Sequence, residues 1–448
     1  MDVIITKPVQ GGTVSAIPSK SAAHRLLICA SLSDSETFIT CPQRSEDINA
    51  TIRCLQALGA TTGEEKNGIS ITPVNLNKLN KDKIHSLDCG ESGATLRFLL
   101  PVCGALGLRI SIKMSGRLSS RPLSSLCDEM TFHGCKLSEP GFSPLTCEGQ
   151  LKNGTYTFPG NITSQYISGL LFALPMLCHE NESGESTIKV TGVLESRPYV
   201  DMTLDALSMF GINIYEEKRQ IFRIPGRQIY RTPKSVNVEG DWSNAAFWLS
   251  AGAIGKNAVT CTGLNMNSRQ GDRAITELLS RYGANVVCKD DTVTVSPGTL
   301  RGIDIDAGNI PDLVPVLSAV AASAEGKTVI RNAQRLRIKE SDRLNTVAAS
   351  LSALGADITE TENGLVITGK KYLTGGETQS YGDHRIAMTA AVLSAVCRSN
   401  NVSGIRNEKS ASGNVIIRNA EAVNKSYPDF FKDFKNALGG EYELVRDS

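Results

Sequence analysis

The chain has 448 residues, enough for roughly two to four domains that each bury a core. Its 47 basic and 46 acidic side chains nearly cancel, and with 5 % aromatic residues this excludes a nucleic-acid-binding surface over the whole protein while permitting a local basic cleft. The start, Met1 to Pro8, has no basic segment followed by an apolar core, and the longest apolar runs, Leu170 to Cys178 and Leu313 to Ala322, are too short to cross a bilayer.

The sequence therefore reads as soluble and cytoplasmic, with no membrane partner. Twelve cysteines, none spaced Cys-x-x-Cys and some within apolar runs, such as Cys103 and Cys178, read as reduced, buried thiols.

From the N-terminus onward one unit recurs: an apolar helical segment, a Gly, a short strand, a polar turn and a second strand. Leu55 to Gly59 leads to Gly68-Ile69-Ser70-Ile71, Leu279 to Gly283 leads to Thr292-Val293-Thr294-Val295, and Leu351 to Gly355 leads to Gly364-Leu365-Val366-Ile367. Weaker copies centre on Gly134, Gly211 and Gly439, so six marks lie about 72 to 84 residues apart. Each Gly fits a helix C-cap, where a left-handed backbone is needed. Six units, each with paired strands and room for two helices, predict an α/β protein grouped three and three. The chain is expected to cross between the halves near Pro18 and near Gly240, which puts the N-terminal strand with the C-terminal half.

Chemistry-bearing segments fall at predicted helix starts. Pro18-Ser19-Lys20-Ser21-Ala22-Ala23-His24-Arg25 opens an apolar helix, where amides, hydroxyls, Lys20 and Arg25 can converge on an anion, although an ordinary capped start has the same composition. Asp88 to Arg97 is a Gly-rich turn entering an apolar helix, and Arg117 and Arg121 precede another. Thr163-Ser164-Gln165 sets two hydroxyls and an amide before the run from Gly169 to Leu177, a neutral donor set suited to phosphate oxygens. Asp312 heads an apolar helix, and Asp383-His384-Arg385 opens another.

Between them, Arg337-Ile338-Lys339-Glu340-Ser341-Asp342-Arg343 packs acids and bases into seven residues. A solvated helix face with pairs such as Lys339 with Asp342 or Arg343 would explain it. So would a site that moves protons while a planar Arg clamps an oxyanion.

Taken in order, these segments, with Glu195-Ser196-Arg197-Pro198-Tyr199 and Asn424-Lys425-Ser426-Tyr427-Pro428-Asp429-Phe430, resemble the motifs of the 5-enolpyruvylshikimate-3-phosphate (EPSP) synthases. The resemblance covers Ile4 to Phe434. It implies an α/β fold, a two-domain inside-out α/β barrel with three βαβαββ repeats per domain and the helices inside. Residues 19–239 would form the domain that mainly binds shikimate 3-phosphate, residues 240–448 with 1–18 the other, and the active site would lie in the cleft between them.

The implied reaction moves the carboxyvinyl group of phosphoenolpyruvate (PEP) to the 5-hydroxyl of shikimate 3-phosphate, with no metal, no organic cofactor and no nucleic acid, in a monomer. Lys20, Asp312 and Glu340 would be catalytic. Lys20, Ser21, Arg25, Thr163, Ser164, Gln165, Ser196, Asp312 and Lys339 would bind shikimate 3-phosphate. Lys20, Gly93, Arg121, Gln165, Arg343, Arg385 and Lys425 would bind PEP. Glu91-Ser92 stands where many members have Asn-Ala, a departure that bears on the inhibitor glyphosate.

Two other readings compete. The UDP-N-acetylglucosamine enolpyruvyl transferases share the fold and PEP but usually carry a loop Cys near Arg117 to Pro122, and none occurs between Cys103 and Cys127. An RNA-binding or RNA-end-processing protein of related repeats would show a continuous basic stripe with aromatics.

Overall fold

The computed structural model describes residues 1–177, 184–398 and 413–445. The chain forms two compact units, Pro18–Val238 and Met1–Ile17 with Glu239–Ser448. Each unit holds three four-stranded sheets.

One repeat of the Pro18–Val238 unit shows the pattern. Strand Ile84–Asp88, helix Gly93–Leu106, strand Arg109–Lys113, helix Ser124–Phe132 and strands Cys135–Leu137 and Leu145–Gly149 follow as βαβαββ. The first two strands pair in parallel, Ile84 opposite Arg109 to Asp88 opposite Lys113, which requires the crossover helix between them. Leu145–Gly149 then pairs antiparallel with Arg109–Lys113, and Cys135–Leu137 lies outside it. All six sheets share this order.

The six marker glycines, Gly59, Gly134, Gly211, Gly283, Gly355 and Gly439, have φ between 67 and 106°, the left-handed turn that ends each second helix before its strand. Three repeats take a strand from far along the chain. Ser235–Asn237 lies parallel to Thr37–Thr40, Gly12–Ser15 lies parallel to Val259–Thr262, and Val3–Lys7 sits between Val415–Arg418 and Glu441–Leu444. The last repeat therefore closes on the N-terminal strand, which takes the place between Val415–Arg418 and Glu441–Leu444.

The two helices of a repeat differ in kind. Second helices such as Ile275–Tyr282 bury one stripe and expose the rest. First helices are apolar all round and almost wholly buried, as in Gly93–Leu106, Ser164–Ala173, Val314–Ser323 and His384–Leu393. Trp242–Ile254, Val314–Ser323 and His384–Leu393 pack on one another as the core of their unit. On a helix with no exposed face a charged side chain needs a buried partner, and several of the candidate residues, among them Lys20, Ser164 and Arg385, stand in the first turn of such helices.

Of the cysteines, nine of the eleven described are buried as expected, whereas Cys288 on its edge strand is exposed and Cys397 half-buried. Cys178 lies outside the described residues. No helix among the described residues is long and apolar enough to cross a membrane.

Candidate active site

In the Pro18–Val238 unit four helix starts carry most of the predicted residues. Ser19 caps Lys20–Leu32 by accepting from the Ala22 amide at 3.4 Å. Lys20 Nζ lies 2.9 Å from Asp47 Oδ2, both side chains mostly shielded. Arg25, one turn on, is 3 % exposed. Its Nε donates to Thr203 Oγ1 at 2.9 Å, Nη1 to the Ser21 carbonyl at 2.6 Å and Nη2 to the Tyr199 carbonyl at 2.7 Å, and the guanidinium stands 5.1 Å from the Phe98 ring centre. Burial brings its pKa down to about 10, so it stays charged.

Thr163 caps Ser164–Ala173, accepting from the Gln165 amide at 3.2 Å. Ser196 caps the next helix with φ 53° and ψ 35°, a left-handed conformation that costs a non-glycine residue energy and clusters at functional positions.

The Gly93 turn explains itself sterically. A Cβ at Gly93 would lie 2.7 Å from Arg97 Nη1 and 2.9 Å from Arg121 Nη1, so any side chain here would push the two guanidinium ends off this backbone. Arg97 was missing from the predicted set. It donates to Gln165 Oε1 at 2.9 Å and to the Pro122 carbonyl at 2.9 Å, so it ties together the Gly93, Arg121 and Gln165 segments. Its signal was a lone charge in an otherwise apolar helix. Asp47, the Lys20 partner, lies in an acidic first turn of ordinary composition and carries no distinguishing signal in the sequence.

The other unit gathers opposite charges around Asp312, in the turn before Val314–Ser323. Its Oδ1 accepts from Arg343 Nη1 at 2.8 Å and faces Lys339 Nζ at 3.7 Å, while Oδ2 lies 3.2 Å from Arg385 Nη2. Burial alone would push this carboxyl up, but Arg385, Lys339 and Arg343 outweigh it and hold it well below the usual range. Arg343 is 1 % exposed and sits among three carboxylates. Nε donates to Asp383 Oδ2 at 2.7 Å, Nη2 to Glu340 Oε2 at 2.7 Å and to Asp383 Oδ1 at 3.3 Å, and Nη1 to Asp312. Four of its five N–H groups are thus engaged.

Burial opposes the charge of Arg343, yet Asp383, Glu340 and Asp312 raise its pKa further above the usual range. Lys339 goes the other way: burial, reinforced by Arg343, brings it down to about 8 against the pull of Asp312 and Glu340.

The acid-and-base stretch is thereby divided in two. It is not one helix face, because a 3₁₀ turn ends at Ile338 and the helix begins at Arg343. Arg337 pairs with Asp342 at 3.1 Å and with Glu360 near the surface, and Asp342 caps the helix. Lys339, Glu340 and Arg343 turn toward Asp312. Asp383 caps His384–Leu393 through the Arg385 amide at 3.0 Å while binding Arg343, so one buried carboxylate sets two predicted arginines.

Lys425, 9 % exposed, ends a 3₁₀ turn pinned by the aromatic residues just beyond it. Tyr427 accepts from Trp248 Nε1 at 3.1 Å, and Phe430 stacks on the Trp248 ring at 4.4 Å. A further carboxylate escaped the sequence reading. Asp272, 1 % exposed, accepts from Ser243, and burial, then Asp312, pushes it up to about 7 against the pull of Arg385.

The chain as a whole has relatives among known proteins. The family model for EPSP synthase (3-phosphoshikimate 1-carboxyvinyltransferase) matches residues 5–434. The chain is 42 % identical over 435 residues to the 3-phosphoshikimate 1-carboxyvinyltransferase of Clostridium kluyveri, covering 96 % of each. It is 43 % identical over 440 residues to that of Clostridium perfringens, covering 98 % of each. Among solved structures, an EPSP synthase from Acinetobacter baumannii superposes with a TM-score of 0.79 at 25 % identity, over 99 % of this chain and 100 % of that one. The enolpyruvyl transferase NikO from Streptomyces tendae shares the fold at a TM-score of 0.75 and 20 % identity, over 99 % of this chain and 98 % of that one.

Proposed function

Since the chain belongs to the EPSP synthase family and transfers the carboxyvinyl group of PEP to the 5-hydroxyl of shikimate 3-phosphate, we propose that the transfer is carried by the two sets of residues described above. The observation that carries this assignment is the Asp312 cluster, in which one ionised carboxylate is held by Lys339, Arg343 and Arg385 with Glu340 beside it.

Two phosphates and a carboxylate must be brought together, which needs fixed cations. Lys20, Ser21, Arg25, Thr163, Ser164, Gln165 and Ser196 bind shikimate 3-phosphate, joined by Lys339 and Asp312. Gly93, Arg121, Arg385, Lys425 and the remaining N–H of Arg343 bind PEP, with Lys20 and Gln165 reaching both ligands. Arginine forks fix the orientation of carboxylate and phosphate, whereas lysines act as movable point charges.

Chemically, C3 of PEP takes a proton, the 5-oxygen attacks C2 as its own proton leaves, and the tetrahedral ketal loses phosphate as a proton leaves C3. A carboxylate held far below its usual range is a weak base. When substrate anions engage Lys339, Arg343 and Arg385, those cations stabilise Asp312 less, and its affinity for the 5-hydroxyl proton rises. We assign the C3 proton to Glu340 and protonation of the departing phosphate to Lys20.

All of these groups lie on one chain, so we take the monomer as the working unit. The eleven described thiols are free, which suits a reducing compartment, and we place the enzyme in the cytoplasm on that account.

The testing assay is phosphate release from PEP, which must appear only with shikimate 3-phosphate present. Release driven by a UDP-sugar instead would overturn the assignment.

A further inference from the structure

In the Pro18–Val238 unit the Lys20–Leu32 and Gly93–Leu106 helices belong to different repeats, yet the reading above has them serve one reaction. What joins their first turns is the Glu46–Ala57 helix, to which no role has yet been given. Asp47 and Thr51 stand four residues apart on it, hence on one face. Asp47 meets Lys20. Thr51 meets both helices: its Oγ1 lies 2.7 Å from His24 Nδ1 and 2.7 Å from Thr95 Oγ1. Thr95 Oγ1 in turn donates to Ser92 Oγ at 2.7 Å, and Ser92 Oγ accepts the Thr95 amide at 3.3 Å as the cap of the Gly93 helix.

The direction of this chain follows from counting protons. A hydroxyl has one to give. That of Thr95 goes to Ser92, so Thr95 must accept from Thr51. The proton of Thr51 is then committed, so Thr51 must accept from His24, which fixes the imidazole as the Nδ1–H tautomer. Two observations agree. Burial drives His24 down to about 3, so it is neutral, and its buried Nε2 has no hydrogen-bond partner among the described residues, as befits the unprotonated nitrogen. His24, Thr51, Thr95 and Ser92 are all 1 % exposed or less, so no water can substitute for a lost link.

We propose that Thr51 is a positioning residue for PEP: its hydroxyl locks the Ser92–Gly93 turn, and with it the close approach of Arg97 and Arg121, to the helix that carries Lys20, Ser21 and Arg25. The inference rests on the assignment of Gly93 and Arg121 to PEP given above. The chain carries no net charge, so it acts by geometry. Because the Cβ direction of Gly93 is already within 3 Å of both guanidiniums, a small drift of the turn alters the fork offered to the ligand. Thr51→Val keeps the side-chain shape but strands the Nδ1–H of His24 and the acceptor oxygen of Thr95 in a dry interior, and the capped turn is the element free to move.

The test is steady-state kinetics with each substrate varied. Thr51→Val is expected to raise KM for PEP about 5- to 30-fold, the share of the two lost buried hydrogen bonds that falls on the Gly93 turn, with KM for shikimate 3-phosphate and kcat within about threefold of wild type. Thr51→Ser, which restores the hydroxyl, should return KM for PEP to near the wild-type value. Thr95→Val breaks the chain while leaving His24 paired with Thr51, and it carries the same test should Thr51→Val fail to fold.

An unchanged KM for PEP, equal rises for both substrates, or no rescue by serine would overturn the proposal. Arg121→Lys separates this from failure of the underlying assignment. If that variant also leaves KM for PEP unchanged, the assignment of PEP is at fault; if it raises KM while both threonine variants do not, the hydroxyl chain alone is.

Discussion

Lys339 offers the sharpest pH test. With a pKa brought to about 8 by burial, it loses its charge in a range where an ordinary lysine is fully protonated. At pH 7 about nine-tenths of such ammonium groups are charged, and at pH 9 only about one-tenth, whereas at a pKa near 10.5 the charged fraction would stay above about 0.95. If the charged form binds shikimate 3-phosphate, whose phosphate stays dianionic throughout with a second pKa near 6, KM for that substrate should rise about tenfold between pH 7 and pH 9. PEP is held saturating, and kcat/KM for shikimate 3-phosphate is followed through phosphate release.

Lys339→Arg supplies the control. Its guanidinium cannot lose its proton in this range, so the variant binds more weakly from altered geometry but loses the alkaline limb. Asp272, near 7, titrates in both proteins and cancels in the ratio of the two profiles. A wild-type profile flat to pH 9.5, or the same alkaline rise in Lys339→Arg, would refute the reasoning.

Other outcomes are expected from the same cluster. Glu340→Gln should fold and bind shikimate 3-phosphate, since Arg343 keeps Asp312 and Asp383, yet turn over about 10² to 10⁴ more slowly; rapid turnover in a folded sample would remove Glu340 from proton transfer. Asp383→Ala leaves Arg343 short of a buried partner and should cost about 3 to 5 kcal/mol in urea unfolding, whereas Arg337→Ala, at a part-exposed pair, should cost under about 1 kcal/mol. Asp272 has a raised pKa, so its native form holds a proton that the unfolded chain gives up near pH 4; stability is lost as pH climbs from about 4 to 7. Asp272→Asn should remove that loss, gaining on wild type at pH 8 relative to pH 4 in paired denaturant titrations.

Much of this molecule is legible along the chain because its signals are local. A left-handed glycine at the end of a helix, an apolar helix without a polar face and a Ser, Thr or Asp cap are each decided within a turn or two of sequence, so six repeats and the helix starts on which the candidate residues stand could be read directly. The charge state of the site could not. Arg343 meets Asp312 across 31 residues and Asp383 across 40, and Arg385 meets Asp312 across 73, so which arginine is enclosed and which lysine is desolvated depends on how separate repeats pack. The same holds for Arg97 reaching Gln165 across 68 residues and for the division of the acid-and-base stretch into an inward Lys339, Glu340 and Arg343 and an outward Arg337 and Asp342. Sequence supplies the charges and the caps. The low-dielectric interior that ranks them, with Lys339 weakened and Asp312 held ionised, exists only once the first helices of three repeats are buried against one another.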